Sequence, residues 1–288
     1  MSDGSGRLPA PPGATVRAEV LDVGDEVRRR QDVVATEEPL EVRVVTDYEG
    51  GRKAHSIAVT MRTPGHDFEL AAGFLLSEGI IKHNSELWRL ARCDDATDEA
   101  AENIVEAHLA PGVDFDAERF SRHVYMTSSC GICGKASIER LNDVRPTLPQ
   151  GDFQLSSDVI RGLTSLMSEG QRVFARTGGL HAAGLFSPLG TLAFLREDVG
   201  RHNAVDKLVG ASVLAGEIPL SETVLLVSGR ASFELVQKAL MAGISMLLAV
   251  GAPSSLAVAT ASEFGMTLVG FLKSGGFNVY SGEDRILI

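Results

Sequence analysis

The chain is short of cysteine, of positive charge and of several familiar signatures, and each shortage excludes something. Three cysteines in 288 residues make no disulfide framework. They are Cys93, Cys130 and Cys133, and a reduced, cytoplasmic protein is the expectation. With 27 Lys+Arg against 38 Asp+Glu, the net charge of −11 lacks the basic footprint that nucleic-acid phosphates require. The opening Met1–Gly13 has no apolar core, so no signal peptide is read there; it reads as a disordered tail, taken to run through residue 35. Neither a Walker A loop nor a Gly-x-Gly-x-x-Gly turn occurs, so classical ATP or NAD use finds no support. An unbroken membrane-length apolar run is missing too. Ala239–Ser262 holds 24 residues without a charge, but Gly243, Gly251, Pro253, Ser254 and Ser255 punctuate it. It reads as helix end, buried strand, turn and next helix, and no membrane is expected.

What is there is an ordinary soluble composition, 44% hydrophobic and 23% charged. The charge is uneven. From Gly178 onward there are nine acidic and seven basic residues, so most of the negative excess lies in the first 177. An anionic ligand is better tolerated by the C-terminal part.

Hydrophobic periodicity divides the chain after the tail into two parts. Residues 36–150 read as an α+β domain. Leu40–Thr46 alternates as a strand, Tyr48–Gly51 turns, Ser56–Met61 returns, and a helix follows from Pro64-Gly-His-Asp67 to Gly79. Residues 93–103 form an acidic loop and Asn103–Leu109 another strand. Residues 151–288 read as an α/β domain in which strands alternate with helices. Its expected architecture is a mixed, mostly parallel sheet covered by helices, with ligands at the C-terminal ends of the strands.

The chemically loudest segment is Thr127-Ser-Ser-Cys130-Gly-Ile-Cys133-Gly134, leading to a helix expected from about Lys135. A thiol near a helix N-terminus and a lysine ionises more readily. Structural zinc wants four ligands and an iron–sulfur cluster four cysteines; neither set is present in the sequence, and no metal is expected. A thioredoxin-like Cys-x-x-Cys should open the helix after the first strand of its own fold, whereas this one stands between two parts of another. An inert buried pair sits poorly with polar, Gly-rich surroundings. Nucleophilic sulfur chemistry remains, with persulfide carriage as its sharp form.

Two strand-to-helix turns carry glycine, a cation and small polar groups where helix N–H groups attract anions. They are Arg196-Glu-Asp-Val-Gly200-Arg201-His202-Asn203 and Ser228-Gly229-Arg230-Ala-Ser232. Arg201 and Arg230 can each grip a phosphate through two N–H groups. The plainer alternative is that Asp198 or Ser228 caps its helix and the arginines are solvated. Gly178-Gly-Leu-His181 and Phe271-Leu272-Lys273-Ser274-Gly275-Gly276 are also Gly-rich and sit at strand ends.

Together with Gly178–Ala183, Arg196–Lys207 and Ser228–Ser232, the Cys130 segment resembles the FdhD family, sulfurtransferase accessory proteins of formate dehydrogenases. The resemblance covers about residues 35–283. It implies a carrier that takes persulfide sulfur from a cysteine desulfurase and hands it to the molybdenum cofactor, bis-molybdopterin guanine dinucleotide, bound as cargo. The cofactor then enters the catalytic subunit of formate dehydrogenase. Cys130 stands at the family's persulfide position, and Cys133 fits a partner thiol. Phe271–Gly276 stands at its cofactor-binding position, with Arg201, His202, Gly229 and Arg230 suited to a guanine nucleotide. A guanine nucleotide is expected to bind in the cofactor's place, and homodimerisation is left open. The C-terminal element order also resembles the cytidine-deaminase fold. The helix starts that carry deaminase ligands read here His202-Asn-Ala204 and Ser228–Ser232, without the general-acid glutamate or either ligand cysteine, so no deamination is expected. Two rival functions remain beside the carrier: a thiol–disulfide oxidoreductase, and a cofactor-binding chaperone without sulfur transfer.

Overall fold

The computed structural model describes residues 10–48, 51–93, 101–117, 141 and 153–288. Cys130, Cys133 and most of the expected acidic loop lie outside these residues.

Alternating apolar residues build a small sheet first. Strands β3 (Glu38–Tyr48), β4 (Gly51–Arg62), β5 (Leu87–Arg92) and β6 (Ile104–Leu109) order as β4-β3-β6-β5. Leu40, Val42, Val44, Val105 and Ala107 point to one face and are fully buried there, as a period of two requires. Helix α1 (Asp67–Ser77) packs on that face through Leu70, Ala71 and Leu75.

The second sheet has six strands: β8 (His181–Phe186), β9 (Leu192–Asp198), β10 (Val224–Val227), β11 (Met246–Ala249), β12 (Thr267–Lys273) and β13 (Gly276–Ser281). Their order is β13-β12-β11-β10-β8-β9. The sheet is mixed, but the expectation of mostly parallel pairing fails: only β10–β11 and β11–β12 are parallel. The reason is connection length. Tight turns join β8 to β9 and β12 to β13, and such turns force antiparallel neighbours. The crossover from β9 then passes beyond β8, so β10 runs antiparallel to β8.

Helices cover both faces. Helix α2 (Ser157–Gly170) lays Ile160, Leu163 and Met167 on one face, against Phe186, Leu226 and Leu248. Ser156 starts it, its hydroxyl accepting the Val159 N–H at 3.2 Å. A short helix α3 (Arg172–Thr177) follows directly. On the opposite face lie α4 (Arg201–Ala215), α5 (Phe233–Met241) and α6 (Ser255–Glu263). The uncharged run Ala239–Ser262 thus resolves into the end of α5, strand β11 and α6. No helix among the described residues is long and apolar enough to cross a membrane.

The two sheets are welded by α1 against α4. Leu40, Val105, Leu70, Val205, Leu225 and Leu247 belong to one hydrophobic cluster, so residues before 150 and after 151 share a core. Helix α4 is buried on all sides from Asn203 to Val213 because both sheets use it. Charged pairs close the seam. The Lys207 ammonium lies 2.7 Å from Asp198 Oδ2 and donates to the Thr63 carbonyl at 2.7 Å, with both charged residues at most 1% exposed. The Lys238 ammonium meets both Asp206 oxygens at 2.9 Å, and Ser77 Oγ donates to Asp206 at 2.8 Å. Burial raises the Asp206 carboxyl, while the facing carboxylates hold Lys238 protonated.

Residues 15–35, expected to belong to a disordered tail, instead pair as a hairpin. Strands β1 (Thr15–Val23) and β2 (Val27–Ala35) run antiparallel. Valines alternating with charges make each face mixed, which masks the strand signal. Arg28 and Arg30 reach Asp22 across the hairpin, and Arg29 reaches Glu19. Its base is pinned by Ala14, which packs with Val173 and Leu180. Finally β7 (Leu155–Ser156) pairs in parallel with β14 (Ile286–Leu287), tying the chain end to the start of α2.

Candidate functional site

One edge of the large sheet collects the start of β8 and the ends of β9, β10, β11 and β12, because β8 runs against its neighbours. The Gly-rich turns seen in the sequence fall on this edge. Between it and α2–α3 opens a cleft of about 630 Å³. Leu180, Val250 and Leu272 give it an apolar floor, and His181, Ser228 and Lys273 stand along it. Ser228 is not a helix cap: its hydroxyl accepts the Ala182 N–H at 2.9 Å, locking β8 to the end of β10. Leu272 is buried, whereas Lys273 is exposed at the rim.

The three loops beyond the strand ends are stitched by backbone bonds at Gly251. Its N–H donates to the Gly229 carbonyl at 2.9 Å, and its carbonyl accepts the Phe271 N–H at 3.0 Å. Arg230 crosses over Gly251, where an added Cβ would meet the Arg230 Cα and Cγ at 3.0 Å. The Arg230 side chain is exposed. Phe271 adopts φ 53°, a left-handed conformation that side chains rarely take, and remains 45% exposed. A bulge between Gly270 and Lys273 produces it. An exposed aromatic ring held at a strained bulge beside a cleft is a feature that structure alone would not require. Ser274 and Gly275 form the exposed tip of the β12–β13 turn, and Gly276 opens β13 at φ 154°.

Arg201, His202, Gly229 and Arg230 do not line the cleft. Arg201 and His202 open α4, Gly229 stands beside His181 and Arg201, and Arg230 lies over Gly251. A Cβ at Gly229 would lie 3.4 Å from His181 Nδ1 and 3.7 Å from Arg201 Cδ, so this glycine is where the two groups meet. Arg201 opens α4, and its Nε is buried without a hydrogen-bond partner among the described residues. No side chain caps this helix start; Asp198 Oδ1 instead accepts the N–H of the preceding Gly200 at 2.8 Å. His202 Nε2 lies 3.4 Å from Ser232 Oγ and 3.9 Å from Glu234 Oε2. Burial, with Lys238 and Arg201 nearby, pushes the His202 imidazole down to about 4. Burial and Arg201 lower His181 as well. Near neutrality the positive charge here is therefore the arginine's.

The structure thus joins Leu272 and Lys273 to His181 and Ser228 in the cleft, and sets Arg201 and Gly229 beside them. Two residues that the sequence reading passed over also shape the site. Glu197 accepts the backbone N–H groups of Arg172, Val173 and Phe174 at 3.0, 3.0 and 2.8 Å. That carboxylate already fills the N-terminus of α3, where an anion would otherwise sit. Gln171, between α2 and α3, lines the cleft and is 7% exposed. No sequence pattern marks either, since their partners lie in other elements. Among the described residues, no cluster of three His, Cys, Asp or Glu could hold a metal ion.

Comparison with known proteins agrees with the sequence motifs. The chain is 50% identical over 279 residues to a sulfur carrier protein FdhD of Streptomyces avermitilis, covering 95% of this chain and 96% of that one. It is 48% identical over 268 residues to the protein of the same name from Mycobacterium tuberculosis, covering 91% and 94%. A solved structure from Desulfotalea psychrophila, named for a formate dehydrogenase accessory role, superposes with a TM-score of 0.72 at 23% identity. It covers 95% of this chain and all of that one, and so shares the fold. The family model for FdhD/NarQ matches residues 35–287, taking in both sheets, the cleft and the Cys130-Gly-Ile-Cys133 segment, and the chain belongs to the FdhD/NarQ family.

Proposed function

We propose that this chain carries sulfur as a persulfide on Cys130, from a cysteine desulfurase to the molybdenum cofactor, before that cofactor enters formate dehydrogenase. The observation that carries the reading is a Cys-x-x-Cys inside a family whose curated relatives are named sulfur carrier proteins. The cargo, bis-molybdopterin guanine dinucleotide, is large and anionic, with ring systems joined through pyrophosphates. A cleft along strand ends with Lys273 at its rim, Arg201 nearby and the exposed Phe271 ring suits such a ligand. The buried Arg201 Nε, unpaired among the described residues, is a donor that an anionic ligand would satisfy.

The chemistry follows from thiol exchange. The Cys130 thiolate attacks the outer sulfur of the desulfurase persulfide. The sulfur–sulfur bond there breaks, its electron pair leaves with the desulfurase thiolate, and Cys130 becomes the persulfide. Cys133, three residues on, can attack the Cys130 sulfur and expel the outer sulfur as hydrosulfide. This leaves a Cys130–Cys133 disulfide, which a dithiol reductant must reopen.

The test is mass spectrometry after incubation with a desulfurase and cysteine, where Cys130 should gain about 32 Da, one sulfur atom. Cys130→Ala should abolish that adduct and formate dehydrogenase maturation, with guanine-nucleotide affinity unchanged. Arg230→Ala should weaken nucleotide binding and leave persulfide loading intact. Maturation that survives Cys130→Ala makes the protein a cofactor-binding chaperone. A stable disulfide with turnover of thioredoxin-like substrates makes it an oxidoreductase.

A further inference from the structure

Two buried side-chain polar atoms lack a hydrogen-bond partner among the described residues, Arg201 Nε and Ser212 Oγ. Ser212 is fully buried in α4, which both sheets enclose, out of a ligand's reach. Arg201 opens the same helix, is partly buried, and makes no hydrogen bond or ion pair among the described residues. Yet a carboxylate stands just before it: Asp198 ends β9, three residues upstream. Burial lowers the His181 imidazole, Arg201 lowers it further and Asp198 raises it, so one ring feels both charges. Buried charges are ordinarily paired, but these two are not paired with each other.

Asp198 has no room for Arg201. A carboxylate offers about four lone-pair sites, and donors occupy them all here. Oδ1 accepts the Gly200 N–H at 2.8 Å and the Asn203 side-chain amide at 3.2 Å. Oδ2 accepts the Thr63 N–H at 3.1 Å and faces the Lys207 ammonium at 2.7 Å. Lys207 brings the positive charge in this set, and the Thr63 carbonyl holds it in turn at 2.7 Å. Thr63 follows β4, so the part of the chain before residue 150 helps fix the pair. Glu234, another acid whose charge reaches Arg201, is 58% exposed and screened by solvent.

We infer that Lys207 is a positioning residue: as the counterion of Asp198 it keeps that carboxylate from capturing Arg201, whose guanidinium stays open to an anionic ligand. The inference rests on the proposed cofactor meeting Arg201 through a phosphate. With Lys207 gone, the stranded carboxylate draws in Arg201, which has no other partner to leave.

Calorimetric titration of the full chain with GDP and guanosine tests it, because their affinity ratio reads the phosphate grip and cancels the ring. The wild-type protein should bind GDP about 10- to 100-fold more tightly, and Arg201→Gln should remove most of that preference. Lys207→Met should remove it to a similar extent, with guanosine affinity unchanged. Adding Asp198→Asn to Lys207→Met should restore the preference, because a neutral amide has no charge with which to trap the arginine. Lys207→Gln, which keeps a donor and loses the charge, is the second variant should the methionine disturb folding. A merely structural lysine gives another pattern: GDP and guanosine weaken together, and the double variant recovers nothing. That result, or an undiminished preference in both Lys207 variants, overturns the inference and leaves cofactor binding standing. A preference absent from the wild type, or unchanged in Arg201→Gln, overturns it too by placing the phosphate elsewhere. A wild-type protein that binds neither ligand overturns both the inference and the cofactor reading.

Discussion

Gly210 in α4 lies so close to Glu69 in α1 that a Cβ on the glycine would stand 1.7 Å from the Glu69 carbonyl oxygen. Gly73 makes the reciprocal contact, with a Cβ falling 1.8 Å from the Asp206 carbonyl oxygen. Two helices in backbone contact cannot admit even a methyl group without moving apart. The joint between the sheets therefore depends on hydrogen in place of a side chain. Glu69 also leaves the joint by its carboxyl: burial alone would raise it, yet Arg196 and His66 hold it at about 2.

Gly210→Ala should accordingly destabilise the fold by about 2–3 kcal/mol or more, the range of a forced overpacking. Gly162→Ala is the matched control. Gly162 is exposed within α2 and has nothing within 4 Å of a new Cβ, so alanine should stabilise by about 1 kcal/mol through helix propensity. Urea unfolding of both variants checks the pair. Equal midpoints would mean that α1 and α4 separate easily.

The Lys207–Asp198 pair offers a sharper electrostatic case. Lys207→Met removes the cation that pairs with a fully buried carboxylate, Asp198, which also accepts from Thr63, Gly200 and Asn203. Breaking one side of such a pair costs about 3–5 kcal/mol. Asp198→Asn together with Lys207→Met should recover part of that loss, because the stranded charge is gone. A double variant no more stable than the single one would show that the cost is packing rather than charge.

His202 makes stability depend on pH. Its imidazole stands at about 4 in the fold against an ordinary 6.5, so the unfolded chain binds the proton more tightly. The stability this contributes is complete above pH 6.5 and is lost as pH falls toward 4. His202→Gln should flatten the dependence of unfolding free energy on pH in that window, by at most one proton. Urea unfolding from pH 7 to 4 measures the slope; an unchanged slope would mean that His202 titrates normally.

The elements with a clean period were legible in the sequence. Leu40–Thr46 alternates and is β3, and the helix started by Ser156 is α2. The hairpin of residues 15–35 was not legible, because its valines interleave with arginines and acids whose pairing appears only across the strands. Strand β13 carries no clear period and meets the Gly-rich stretch Phe271–Gly276 only at Gly276; it is an edge strand defined by its pairing with β12. The site was half legible. Glycine and arginine after each strand placed the sheet edge, but Arg201 and Arg230 fall beside the cleft rather than in it.

Local chemistry is what the sequence determined by itself: the Cys130–Cys133 spacing, the Gly-rich turns, the order of strands and helices, and the family these motifs mark. Only the tertiary structure decided that the two parts share one core, that most pairings of the large sheet are antiparallel, and that Glu197 fills the start of α3. The physical reason is range. Motifs and periods are written in neighbouring residues, whereas glycine-on-glycine packing and a glutamate filling a helix end 24 residues away are relations between distant ones.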